Sequence, residues 1–175
     1  MISSGQKAPD FSLPGVLDRD PAIYDLHRFI DDIEAVVLAF VPSAHAPVCQ
    51  DDLRALGESA WADRDDLLVW AITGDSLFAN SSAARQLGLD FPVISDFHAG
   101  IADSYGVSLD DWHGHRDIPG RALLVIDSGW TVRHAWSPSD PFEVPRGSPF
   151  AAVAETLGEL GVDVTAPEVE YRVDH

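Results

Sequence analysis

Cys49 is the only thiol in the chain. A thiol reacts as its thiolate, so the surroundings that set its charge decide whether it does chemistry. Cys49 follows an unbroken apolar run, Ala35–Val41, which Pro42 closes, and it opens a segment with helical spacing at Leu53, Leu56 and Ala60. That junction is the carboxyl end of a buried strand, where ligands gather in open α/β sheets. It is also a helix N-terminus, whose free N–H groups favour negative charge. The spacing therefore predicts a thiol pKa below the ordinary value. Position alone leaves open the other reading, a small buried hydrophobe. With one cysteine, an internal disulfide framework, a CxxC redox pair and a four-cysteine zinc site are excluded.

Other polar groupings are weaker. Trp112-His113-Gly114-His115-Arg116, with Asp110, Asp111 and Asp117 nearby, offers two histidines two residues apart. A closed metal site needs more ligands in fixed geometry, so the segment 107–119 reads as an exposed polar loop that could border a site, and no metal is expected. His98 and His134 read as surface or capping residues. Asp31-Asp32, Asp51-Asp52 and Asp65-Asp66 are adjacent in sequence rather than opposed across a cleft, which favours solvated caps.

The positioning elements follow from period and punctuation. Ala35–Val41, Leu67–Ile72, Phe91–Ile94 and Ala122–Ile126 are continuous apolar runs of the kind buried on both faces. Asp127-Ser128-Gly129 turns the last of them into Trp130–Trp136 as an antiparallel hairpin. Helical spacing occupies Asp51–Trp61, Ser76–Leu87, Ala99–Tyr105 and Pro149–Leu160. The alternation predicts an α/β fold with the first two of these strands parallel. Residues 1–161 read as one domain. The Val/Glu/Asp-rich tail 162–175 reads as an added strand or a loose arm.

Composition narrows the function classes. Of 175 residues, 29 are Asp or Glu and 11 are Lys or Arg, a formal net charge of −18, while 46% are hydrophobic. The chain is therefore a folded acidic globule that nucleic acid and anionic membranes would repel. Asp outnumbers Glu 22 to 7, and Lys7 is the only lysine beside 10 arginines. Such a surface is expected of a halophile's protein, where salt screens self-repulsion; an arginine-preferring GC-rich genome is the plainer account. The N-terminus has no basic or apolar targeting pattern, and the longest apolar run is far too short for a membrane span, so the expected compartment is the cytoplasm.

Pro42-Ser43-Ala44-His45-Ala46-Pro47-Val48-Cys49, following the Val-Val-Leu-Ala-Phe-Val strand, resembles the active-site segment of the peroxiredoxins, the alkyl hydroperoxide reductase/thiol-specific antioxidant (AhpC/TSA) family. Ala8–Gly15 is similar to the family's opening strand, Leu67–Asp75 to its second core strand and turn, and Leu89–Asp96 to the segment before its short helix and Tyr105-Gly106-Val107. Arg121–Asp127 resembles the strand that begins with the family's arginine. These matches run in the family's order over residues 5–136.

The resemblance implies a thioredoxin-like fold, a central mixed sheet flanked by helices, and an antioxidant peroxidase that needs no cofactor. Cys49 would be the peroxidatic nucleophile, Pro42 its shield from water and Arg121 the holder of thiolate and peroxide; the plainer account of Arg121 is a salt bridge at a strand start. Asp52, where the family often has glutamate, would orient Arg121. Ala46 stands where the motif has threonine, and so removes a donor, with Ser43 and His45 the nearby candidates to compensate. Without a second cysteine the enzyme would be of the one-cysteine type, its sulfenic acid reduced by an external thiol or redox protein. The implied assembly is a homodimer. The alternative is a peroxiredoxin-like thiol sensor or binding module without peroxidase activity, which Ala46 favours.

Overall fold

The computed structural model describes residues 1–172. Among these residues are nine strands and four α-helices. They are β1 (Ser12–Leu17), β2 (Asp20–Asp25), β3 (Ala35–Val41), α1 (Pro47–Glu58), β4 (Leu67–Thr73), α2 (Leu77–Leu87), β5 (Val93–Ser95), α3 (Gly100–Ser104), β6 (Ser108–Trp112), β7 (His115–Pro119), β8 (Ala122–Asp127), β9 (Val132–Trp136) and α4 (Phe150–Glu159). Seven strands form one mixed sheet in the order β2-β1-β5-β4-β3-β8-β9, and β6 and β7 form a separate two-stranded ribbon.

The central strand β3 explains the architecture. All seven of its residues are buried, because alternate side chains enter two different cores. Val37, Ala39 and Val41 pack with Leu53 and Leu56 of α1, Ala83 and Ala84 of α2, and Val153 and Leu157 of α4. Val36, Leu38 and Phe40 pack with Phe11, Leu26, Ile30, Trp70 and Tyr105 on the opposite face. β3 pairs with β4 in parallel and with β8 antiparallel. The apolar runs and the α/β order thus become the expected mixed sheet flanked by helices.

Several boundaries differ from the sequence reading. Helix α1 begins at Pro47, four residues before its apolar spacing starts, since proline is well suited to the first helical turn. It ends at Glu58, and Trp61 lies in a separate 3₁₀ turn, Trp61–Asp63. Segment 107–119 is a hairpin rather than a loop. His113 and Gly114 both adopt positive φ, the two-residue turn whose twist matches paired strands. Its polar strands carry no apolar run, which is why periodicity misses them. The strand β2 is likewise mostly exposed and hidden from a search for buried runs.

The tail through Arg172 is neither a strand nor a loose arm. Val162 is fully buried, and Val164, Ala166 and Val169 pack against the α1 side of the core. The Trp61 indole donates to the Thr165 carbonyl at 2.9 Å and Arg64 Nη1 to that of Asp163 at 3.2 Å. Residues 173–175 of the expected tail lie outside the described residues. No helix among the described residues is long and apolar enough to cross a membrane.

Candidate active site

β3 delivers the chain to the site. Pro42 is buried at its end, and Gly74 at the end of neighbouring β4 donates its N–H to the Pro42 carbonyl at 3.3 Å. A side chain at Gly74 would collide with that carbonyl and with Pro119, each 2.9 Å from a built Cβ, so glycine is what lets β3, β4 and the hairpin converge. Asp75 then pins the turn after Pro42. Its Oδ2 accepts from Ser43 Oγ at 3.1 Å and from the Ala44 N–H at 2.8 Å.

Ala46 occupies the N-cap of α1 without a side-chain cap, and Cys49 lies in the helix's first turn. Neither polar neighbour replaces the motif's missing hydroxyl with its side chain: Ser43 Oγ is committed to Asp75, and the exposed His45 ring lies 3.3 Å from the Ala79 carbonyl of α2.

Cys49 is 0% exposed. Burial pushes its thiol from 9.0 up to about 12. The Arg121 charge and a Ser43 backbone hydrogen bond oppose that rise, while Asp52 and Asp75 add to it. The expectation of a lowered pKa is thus corrected for this conformation. Removing the charge from water costs more than the Arg121 charge and the Ser43 backbone hydrogen bond return.

Arg121 arrives from the neighbouring strand by register. The antiparallel pairing of Phe40 with Ala122 brings the residue before β8 to the carboxyl end of β3, beside Pro42 and the start of α1. Its Nε donates to Asp52 Oδ2 at 2.6 Å, with Arg121 2% and Asp52 4% exposed. Nη1 donates to the Glu143 carbonyl at 2.8 Å and Nη2 to the Tyr171 hydroxyl at 3.2 Å, and the Tyr171 hydroxyl donates to Asp52 Oδ1 at 2.8 Å. The guanidinium carbon lies 5.2 Å from the centroid of the Trp136 ring and 5.8 Å from that of Tyr171. Burial opposes the Arg121 charge, but the Asp52 carboxylate outweighs it and raises its pKa. Burial pushes Asp52 up, with Arg121 and Tyr171 pulling it back. The result is a buried charge pair in which three of the five guanidinium N–H groups and both Asp52 oxygens have partners.

A cleft of about 510 Å³ opens at the turn between β3 and α1, lined among others by Pro42, Ala46, Asp75, Trp112, His115 and Phe142; Cys49, Asp52 and Arg121 do not line it. The β6–β7 hairpin therefore borders the site. Trp112 sits against Phe142, ring centroids 4.2 Å apart, and against His115 at 6.1 Å. Among the described residues no group of three or more His, Cys, Asp or Glu side chains could hold a metal ion. His98 is exposed; His134, expected at the surface, is half-buried with its Nε2 unpartnered, and burial lowers its pKa.

The structure thus brings Pro42, Ala46, Cys49, Asp52 and Arg121 to one end of the sheet and turns His45 towards α2. Sequence reasoning missed Tyr171 and Trp136 as partners of the pair. No spacing signals them, because 50 residues separate Tyr171 from Arg121.

Known proteins resemble this chain in sequence and in fold. A 2-cysteine chloroplastic peroxiredoxin of Chattonella marina var. antiqua is 29% identical over 142 residues, covering 77% of this chain and 70% of that protein. The crystal structure of a peroxiredoxin-like protein from Aquifex aeolicus superposes with a TM-score of 0.73 at 23% identity, covering 91% of this chain and 88% of that one. A yeast mitochondrial 1-Cys peroxiredoxin gives a TM-score of 0.73 at 16% identity, covering 91% and 78%. These neighbours share the thioredoxin-like fold. The AhpC/TSA family model matches residues 4–135, most of the chain and the whole stretch from the opening strand through Cys49 and Arg121, and the chain belongs to that family.

Proposed function

We propose that this chain is a one-cysteine thiol peroxidase that reduces hydrogen peroxide or alkyl hydroperoxides through Cys49. The carrying observation is the buried Arg121 guanidinium, held at 2.6 Å by Asp52, which lies one helical turn after Cys49 on α1; its charge favours the Cys49 thiolate. A guanidinium is permanently charged and offers donors in a fixed fork, which suits both a thiolate and the oxygens of a peroxide.

The thiolate sulfur attacks one peroxide oxygen. An S–O bond forms, the O–O bond breaks, and the electron pair leaves on the second oxygen, which takes a proton to become water or alcohol. Donors beside Cys49 stabilise that developing charge. The sulfenic acid is then attacked by one external thiol, releasing water and giving a mixed disulfide; a second thiol frees Cys49 and leaves as the external disulfide. A lone cysteine requires this external route. The yeast relative, described as a 1-Cys peroxiredoxin resolved via glutathione/thioredoxin systems, supports it. The thiol is protonated and sealed in the present conformation. Reaction therefore begins with an opening that admits peroxide and water to Cys49 and relieves the burial that raises its pKa.

In this reading Pro42 shields the sulfur, Asp52 orients Arg121, and residues 1–161 form the domain with 162–175 as its tail. A homodimer in the cytoplasm of a halophile completes the proposal, the last from the Asp and Lys counts.

Replacing Cys49 by Ser abolishes thiol-dependent peroxide consumption, measured in concentrated salt; a wild type without such consumption overturns the reading. A second reading, a thiol sensor or binding module, is favoured by Ala46 and by the raised thiol. pH-dependent alkylation separates the two. A Cys49 midpoint well below about 8.5 supports the peroxidase, and one near or above it supports the module.

A further inference from the structure

We propose that Tyr171 is a positioning residue of the Cys49 site, whose hydroxyl locks the Arg121–Asp52 pair in the orientation that acts on the sulfur. The proposal rests on the reading of Cys49 as the nucleophile. Tyr171 lies beyond the family-matched segment 4–135, so the contact belongs to this chain's own tail.

The geometry is that of a bridge. One oxygen accepts from Arg121 Nη2 at 3.2 Å and donates to Asp52 Oδ1 at 2.8 Å, while Arg121 Nε holds Asp52 Oδ2 at 2.6 Å. Arginine has five N–H donors. Nε, Nη1 and Nη2 each spend one, on Asp52, Glu143 and Tyr171, which fixes the plane of the guanidinium and leaves two N–H donors uncommitted. A phenol suits the place because it gives and takes a hydrogen bond at one atom. Its ring covers the guanidinium face at 5.8 Å.

The tail is built to present it. Val169 packs against the core two residues before, and the Arg172 N–H donates to Asp51 Oδ2 at 2.8 Å one residue after, so Tyr171 is anchored on both sides. The charged groups acting on Cys49 are Arg121 from the start of β8, Asp52 from α1 and Asp75 from the turn after β4, and the bridge touches the first two.

The test is Tyr171→Phe, which keeps the ring and removes the hydroxyl, in the full chain. The readout is the pH profile of Cys49 alkylation by iodoacetamide, which requires no peroxidase activity, together with the second-order rate of peroxide consumption. The midpoint is expected to move up by about one pH unit. Both alkylation at pH 7 and the peroxide rate are expected to fall about 10-fold, as for the loss of one hydrogen bond to a charged group. As a control, Arg64→Ala removes a tail anchor that touches neither Arg121 nor Asp52, and is expected to leave the midpoint in place. An unchanged midpoint in Tyr171→Phe overturns the proposal. So does faster alkylation at every pH, which would make Tyr171 a cover only. An equal shift in Arg64→Ala also overturns it, since tail docking would then be what matters. A wild type inactive towards peroxide overturns the peroxidase reading alone, leaving the alkylation profile to decide the bridge.

Discussion

Asp51 and Asp52 are neighbours on α1, both buried at 5% and 4% exposure, yet they serve different parts of the molecule. Asp51 bonds within its own helix, to Arg54 Nη1 at 2.8 Å, and accepts the Arg172 N–H of the tail. Asp52 faces the sheet and meets Arg121, 69 residues away, together with Tyr171. A step of one residue along a helix rotates the side chain by about 100°. Here that rotation separates a carboxylate that docks the tail from one that sits beside the reactive sulfur. Asp52 is among the charges that act most strongly on the Cys49 thiol. Asp51 also corrects the reading of the paired acids as solvated caps, because the tail covers it.

The largest test of this contrast is Asp52→Asn. It leaves the Arg121 charge buried without its counter-charge, and a cost of about 3–5 kcal/mol in unfolding free energy is expected, read by denaturant titration. A cost near that of an exposed pair would remove the distinction. Asp51→Asn is expected to cost less, about 1–3 kcal/mol, because Arg54 is 24% exposed and can turn to water. Its peroxide rate should stay within a few-fold of wild type.

The smallest effect is in alkaline stability. The folded state holds the Cys49 proton to about 12 while the unfolded chain releases it near 9.0, so the unfolded state binds fewer protons between those values and stability falls as pH rises through that window. The loss due to Cys49 is about 1 kcal/mol at pH 10. It is measured as the difference between wild type and Cys49→Ser in thermal unfolding at pH 8 and pH 10. Asp52→Asn should shrink that loss, since it removes a negative charge that raises the thiol, whereas Asp51→Asn should leave it unchanged. Equal effects of the two substitutions would show that both carboxylates belong to the thiol's surroundings.

The parts legible in the sequence are those whose signal is local. Ala35–Val41 is apolar at every position because both of its faces are covered, and the observed strand has those same bounds. Gly88 stops α2 in the left-handed conformation that glycine adopts freely, with Ser76 capping the other end. Cys49 follows β3 closely enough that its place at the start of a helix could be read directly. The β6–β7 hairpin was hidden because it buries too little to leave a period, although its His113-Gly114 turn carries its own chemistry.

By itself, then, the sequence determined the α/β order, the family resemblance and the position of one thiol between a buried strand and a helix, since each depends on contacts within a few residues. Only the tertiary structure decided what that position means for the thiol. Burial outweighs the Arg121 charge and the Ser43 backbone hydrogen bond and holds Cys49 protonated. The Arg121–Asp52 pair exists because β8 registers against β3, and the tail closes over it at Tyr171. Those contacts join residues 50 to 119 positions apart. No periodicity encodes such pairings, because they arise when the whole sheet and tail pack.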